Sequence, residues 1–199
     1  MPNLAIPRYD VHHIAEACAE DGDVYRGTAT RLLKQQRRLL NFFKANLPAM
    51  SAQTGEVSVY LFSVIVQIFE KYGGTLSKVN GRQINEAAAR VQGVVESLLP
   101  FDGAFPERVR GLDWRAQPFV LDEALWALFE RDKKKDGEVD VPDDEAGLIF
   151  LMLWVATEAL DSAWRSPKNM EQRIADAPEW VPPVDEEEDE DEDTESSEE

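Results

Sequence analysis

Cysteine and histidine are nearly absent: the 199-residue chain holds one Cys and two His. A lone Cys18 excludes an internal disulfide framework, and the adjacent His12 and His13 are too few for a four-ligand zinc site. A Gly-rich phosphate loop, a Gly-x-Ser-x-Gly elbow and a His-Glu-x-x-His helix are all missing. The N-terminus carries no basic region followed by an apolar run. The longest uncharged apolar stretch, residues 146–156, has eleven residues, where a bilayer span takes about 20. These absences predict a cytoplasmic protein with no membrane span, no metal and no cofactor, and they lean against an enzyme.

Positive charge is also scarce, with Lys+Arg 21 against Asp+Glu 39 and a net charge of −18. The imbalance is local. Residues 185–199 contain twelve acids and no base, which leaves 27 acids and 21 bases, a charge of −6, for residues 1–184. A halophilic surface would spread its acids over the folded body, so that class is excluded. Hydrophobic residues make up 43% of the chain, enough to bury a core.

What the chain does have is helical periodicity. It predicts an all-α fold, a single irregular bundle of about six helices over residues 8–177. A Pro-containing linker and a disordered acidic tail follow over residues 178–199. The first helix spans residues 10–20, and Asp21-Gly22-Asp23 stops it. The second spans 28–47, with Leu32, Leu33, Gln36, Leu39, Leu40, Phe43 and Leu47 on one stripe, and Pro48 ends it. The third, 56–72, is apolar nearly all round and reads as a central buried helix. The fourth, 81–99, opens on a capping box of Asn80 and Gln83. The fifth and sixth cover 118–133 and 142–165, the sixth being the most apolar and also central, and a short amphipathic piece follows at 170–175.

Candidate chemistry is thin. Residues 132–143 lie between two predicted helices and resemble an EF-hand loop, with acids at positions 1, 5, 9 and 12 and Gly137 at position 6. Lys134 stands where position 3 needs a ligand oxygen, and Asp143 where a bidentate Glu is expected. Helix termini account for the same residues without calcium. His12, Glu16 and Glu20 share a face of the first helix, read as solvated, with Cys18 packed as a small apolar residue. Glu158 and Asp161 follow the apolar run of the last long helix and are also read as solvated, at an emerging polar face.

Charge gives the better signal. No acid stands between Asp23 and Glu56, while Arg26, Arg31, Lys34, Arg37, Arg38 and Lys44 lie there. Arg31, Lys34 and Arg38 fall at helical spacing, so Arg31, Lys34, Arg37 and Arg38 form a candidate partner-binding face. A second candidate is the long connection 100–117, with Arg108, Arg110, Trp114 and Arg115; its apolar anchors favour a packed cover over a helix end.

The leading reading is a non-catalytic protein–protein interaction module, an adaptor or assembly factor, whose polyanionic tail suits a partner with a basic surface. The alternative is a regulator acting at nucleic acid or on nucleic-acid-binding proteins, with the tail as phosphate mimic or autoinhibitor. An enzyme or metalloprotein is the third.

Overall fold

A computed structural model describes residues 3–131 and 139–181. Ten α-helices stand among the described residues: α1 (Arg8–Glu20), α2 (Gly22–Gln35), α3 (Arg37–Asn46), α4 (Ala52–Tyr72), α5 (Gly81–Gln92), α6 (Val95–Leu98), α7 (Phe105–Arg110), α8 (Pro118–Leu125), α9 (Asp143–Ala163) and α10 (Met170–Asp176). A single π turn (Trp126–Glu130) extends α8. The two-residue strands β1 (Thr75–Leu76) and β2 (Trp164–Arg165) pair antiparallel. The fold is all-α, with more and shorter helices than the expected six. The expected acidic tail, residues 185–199, lies outside the described residues, as do residues 132–138 of the EF-hand comparison.

The extra helices come from breaks that hydrophobic periodicity does not register. A single residue, Asp21, separates α1 from α2, so the second helix begins six residues before its expected start. The expected helix over 28–47 is then cut at Gln36, whose φ of −98° and ψ of 44° leave the helical region. The helix expected over 81–99 is cut after Gln92, and the connection 100–117 contains α7. The capping box is formed as expected: Asn80 Oδ1 accepts the Gln83 N–H at 3.1 Å, and Gln83 Oε1 accepts the Asn80 N–H at 2.9 Å. Ser51 does the same for α4, its hydroxyl oxygen accepting from the Thr54 N–H at 3.1 Å.

The core gathers around α4 and α9. The long helix α9 packs against α4, α5 and α8, while α4 also packs against α1 and α2. Both central helices have 21 residues and are apolar enough, by length and composition, to cross a membrane. In the folded chain 61% of the most apolar window of α4 and 78% of that of α9 are buried against other helices. Phe43 of α3 stacks on Phe62 of α4 with ring centroids 4.4 Å apart, and Phe105 meets Phe150 of α9 edge-on at 5.5 Å. All four rings are fully buried, and burial of each is worth about 1.5–3 kcal/mol.

Two glycines permit close approach. A Cβ at Gly147 of α9 would fall inside the Phe101 ring, so the missing side chain is what lets the 100–104 turn lie on α9. Gly74, at φ 83°, turns the chain from α4 into β1, where a Cβ would collide with the Arg165 carbonyl.

Candidate functional site

The break at Gln36 is where the basic sequence acquires a shape. The Gln36 side chain is buried and clamps the extended segment that leads from β1 into α5. Its Nε2 donates to the Ser77 carbonyl at 3.1 Å, and its Oε1 accepts the Val79 N–H at 3.0 Å. Both ends of one amide are thus used on the two neighbours of Lys78. That residue stays exposed, held beside the joint of α2 and α3. Lys34 lies two residues before the joint, and Arg37 and Arg38 open α3 immediately after it. The Arg38 guanidinium reaches the start of α5, 3.4 Å from where a Cβ on Gly81 would stand. Arg31, Lys34 and Arg38 therefore do not share the face of one continuous helix; they sit on either side of a kink.

Most of these cations have no acid to neutralise them among the described residues, as is also true of Lys71, Arg165, Lys168 and Arg173 elsewhere on the body. Among the described residues Lys34, Arg37, Arg38, Lys44 and Lys78 form no ion pair. Arg31, expected on the same face, is engaged: its guanidinium donates two hydrogen bonds to Glu70 at 2.8 and 2.7 Å. That bond holds the Glu70 carboxyl below the ordinary carboxylate range. Arg31, Lys34 and Lys78 line a shallow depression of about 480 Å³ together with Gly27, Thr30 and Gln35.

Thr30 also lines an adjoining, larger groove. This groove, about 1000 Å³, runs between α2 and the first half of α4 and is walled by Ala29, Leu33, Leu47, Val59 and Tyr60, with Arg26 on its α2 side. Tyr25 forms part of the floor, its hydroxyl 3.1 Å from Ser63 Oγ, and burial pushes that phenol upward. The first half of α4, expected to be buried all round, is in fact open here: Tyr60 is 39% exposed and Val57, Val59 and Leu61 are partly exposed. Across the α2 side, Val24 stands 79% exposed.

The second candidate segment is tied down on the body. Arg108 pairs with Asp102 at 2.7 Å and donates from Nε to the Leu98 carbonyl at 2.9 Å. Arg110 forms two bonds with Glu130 at 2.6 and 2.8 Å, and Arg115 pairs with Asp122 at 2.9 Å. Trp114 stacks on Trp154 of α9, centroids 5.2 Å apart. These residues lie in or beside the long connection, and the structure spends their charges on Asp102 within it and on Asp122 of α8 and Glu130 of the π turn.

Three titratable positions, Glu158, Asp161 and His12, depart from their expected solvated state. Glu158 and Asp161 are buried. Glu158 accepts from the Ala116 N–H at 2.8 Å, from Trp154 Nε1 at 3.3 Å and from Arg90 at 2.9 Å. Asp161 accepts from Gln117 Nε2 at 2.8 Å and from Asn3 Nδ2 at 3.3 Å. Both carboxylates are therefore joints that fasten the 112–117 segment and the N-terminal residues to α9. His12, rather than simply facing water, turns to Glu123 of α8, with Nδ1 3.1 Å from Oε1, and lines a partly open pocket of about 310 Å³ with Glu16, Trp126 and the apolar face of α4. The bond to Glu123 raises the His12 pKa, against the opposing effect of burial.

Among the described residues no group of three or more His, Cys, Asp or Glu is placed to hold a metal ion. No family model, curated protein or solved structure matches the chain. Function therefore has to be argued from the surface itself. Lys78 and the groove are the two features that sequence reasoning missed. Lys78 lies 44 residues from Lys34, and only the Gln36 clamp brings it near.

Proposed function

We propose that this protein is a protein-interaction module. Its surface at the α2–α3 kink receives a partner segment that carries apolar anchors next to acidic residues. The observation behind this reading is the junction at Thr30: an apolar groove on one side, and un-neutralised Lys34 and Lys78 with Arg37 and Arg38 on the other. An amphipathic helix laid in a groove uses anchors at helical spacing, and flanking acids would meet the cations of the kink. Charge complementarity of this kind sets orientation and association rate more than raw affinity. A phosphate backbone would satisfy the cations and leave the groove without an occupant, which is why a protein partner is favoured over nucleic acid.

The test uses the full-length chain and a fluorescent helical peptide with Leu and Phe at positions i, i+3, i+4 and i+7 and Glu on its flanks. Anisotropy is expected to report micromolar binding. Lys34→Glu with Arg38→Glu should weaken it by about tenfold or more, on the order of 1.4 kcal/mol. A control peptide with Lys in place of Glu is expected to bind at least tenfold more weakly. Equal binding of the two peptides would sink the reading. Tighter binding of duplex DNA than of peptide, with a steep salt slope, would move the surface to the nucleic-acid class.

A further inference from the structure

We infer that residues 185–199 of the chain itself dock on the cations of the α2–α3 kink and compete there with the partner. The inference rests on the reading of that surface as a partner site and names how the site is regulated.

Three observations carry it. The first is charge. Residues 185–199 supply twelve acids without a base, and the kink supplies Lys34, Arg37, Arg38 and Lys78 without an ion pair among the described residues. Many other basic groups are already answered: Arg90, Arg108, Arg110 and Arg115 have carboxylate partners within 2.9 Å. In the sequence, Lys133, Lys134 and Lys135 stand between Asp132 and Asp136. Lys44, Lys71, Arg165, Lys168 and Arg173 also lack an ion pair among the described residues, and the kink is the cluster of such cations that adjoins the groove.

The second is where the acidic segment departs. Trp180 lies under the Arg8 guanidinium, 3.7 Å from it to the ring centroid, and meets His12 edge-on at 6.4 Å. Its neighbour Val181 is 70% exposed. The last described residues before the acidic segment therefore lie at the N-terminal part of α1.

The third is reach. The eighteen residues from 182 to 199 span up to about 60 Å when extended, against about 40 Å for the diameter of a folded body of this size. The extended segment is thus long enough to pass over much of the surface from Val181. A tethered segment of this length acts at an effective concentration on the order of 1 mM. Even a weak intrinsic affinity of about 100 µM then leaves the kink free about one-tenth of the time, and partner affinity falls about tenfold.

The experiment keeps the full-length chain and uses a zero-length carbodiimide, which joins a lysine amine to a carboxylate in contact with loss of water. Peptide mapping of the monomeric product at low salt is expected to find Lys34 and Lys78 joined to acids of 185–199. The yield should fall severalfold in about 1 M salt, where the Debye length is about 3 Å. It should also fall in Arg37→Glu/Arg38→Glu, which leaves both reporter lysines in place. Cross-links confined to Lys168 or to Lys133, Lys134 and Lys135 would overturn the inference, as would an undiminished yield in the double variant. A second arm measures the acidic helical peptide against a full-length variant with every acid of 185–199 changed to its amide. About tenfold tighter binding than wild type supports competition, and equal binding by both chains removes it. Cross-links at Lys34 and Lys78 with no peptide binding by either chain would keep the docking and discard the partner reading.

Discussion

Glu158 is the residue on which the packing of α9 depends most directly, because one carboxylate serves a backbone N–H, an indole and a guanidinium. Truncation to Ala would strand the buried Ala116 N–H and leave Arg90 without its partner. Glu158→Ala is expected to lower unfolding free energy by about 3 kcal/mol, and Glu158→Gln by about half as much, since the amide oxygen still accepts. Urea denaturation monitored by tryptophan fluorescence would check this, and an Ala variant within about 0.5 kcal/mol of wild type would contradict it. The fading of hydropathy after Ala156 is visible in the sequence, yet it pointed to solvent. What turned these acids inward are donors from Arg90, Ala116, Gln117 and Asn3, and no local pattern announces a convergence over such separations.

The pair of His12 and Glu123 sets a pH dependence whose sign follows from its pKa direction. His12 is raised by its bond to Glu123, so the folded chain holds that proton more tightly than the unfolded one. Its stabilisation is complete below the unfolded value of about 6.5 and is lost as pH rises through the higher folded value. The melting temperature of wild type should therefore exceed that of His12→Gln most at about pH 5.5, with the gap narrowing by about pH 8.5. A gap that widens with pH would contradict the assignment.

At the scale of elements, the sequence was a good guide wherever a helix end is marked by its own residues. Asn80 with Gln83 was legible because a capping box is a three-residue device. The kink at Gln36 was not, because the residue causing it sits on the apolar stripe at regular spacing and looks like one more inward position. Its clamp on the 77–79 segment is a long-range fact. Gln36→Ala should cost about 2–3 kcal/mol, chiefly by leaving the Val79 N–H buried without an acceptor. It should also release Lys78 from the kink. A simultaneous loss of stability and of Lys78 cross-linking would tie the two together; a variant as stable as wild type would show that the clamp is dispensable. The same limit explains the candidate surface: four basic residues on α2 and α3 were legible from composition, whereas Lys78 and the α2–α4 groove needed the fold.

For the whole molecule, the partition of charge was readable from the first count, while its geometry was not. The sequence shows twelve acids at one end and an acid-free stretch from residue 24 to 55. The fold adds that the cations of this stretch divide into those already paired, Arg26 and Arg31, and those left over, Lys34, Arg37 and Arg38 at the kink and Lys44 in the last turn of α3. The loop arginines, equally prominent in composition, are consumed by Asp102, Asp122 and Glu130.

The central pairing of α4 with α9 also fixes an order of events at the ribosome. About 70 residues separate the end of α4 from the start of α9. At 5–20 residues per second, α4 waits roughly 4–14 seconds for the helix that covers it. During that interval its apolar face has α1, α2 and α3 for company, joined by β1 and, late in it, by α8. The Asn3 side chain waits longer still, since its acceptors belong to Asp161 and Trp164. Asn3 is thus made long before its bonds can form, and translation speed between α4 and α9 governs how long the apolar face of α4 stays open.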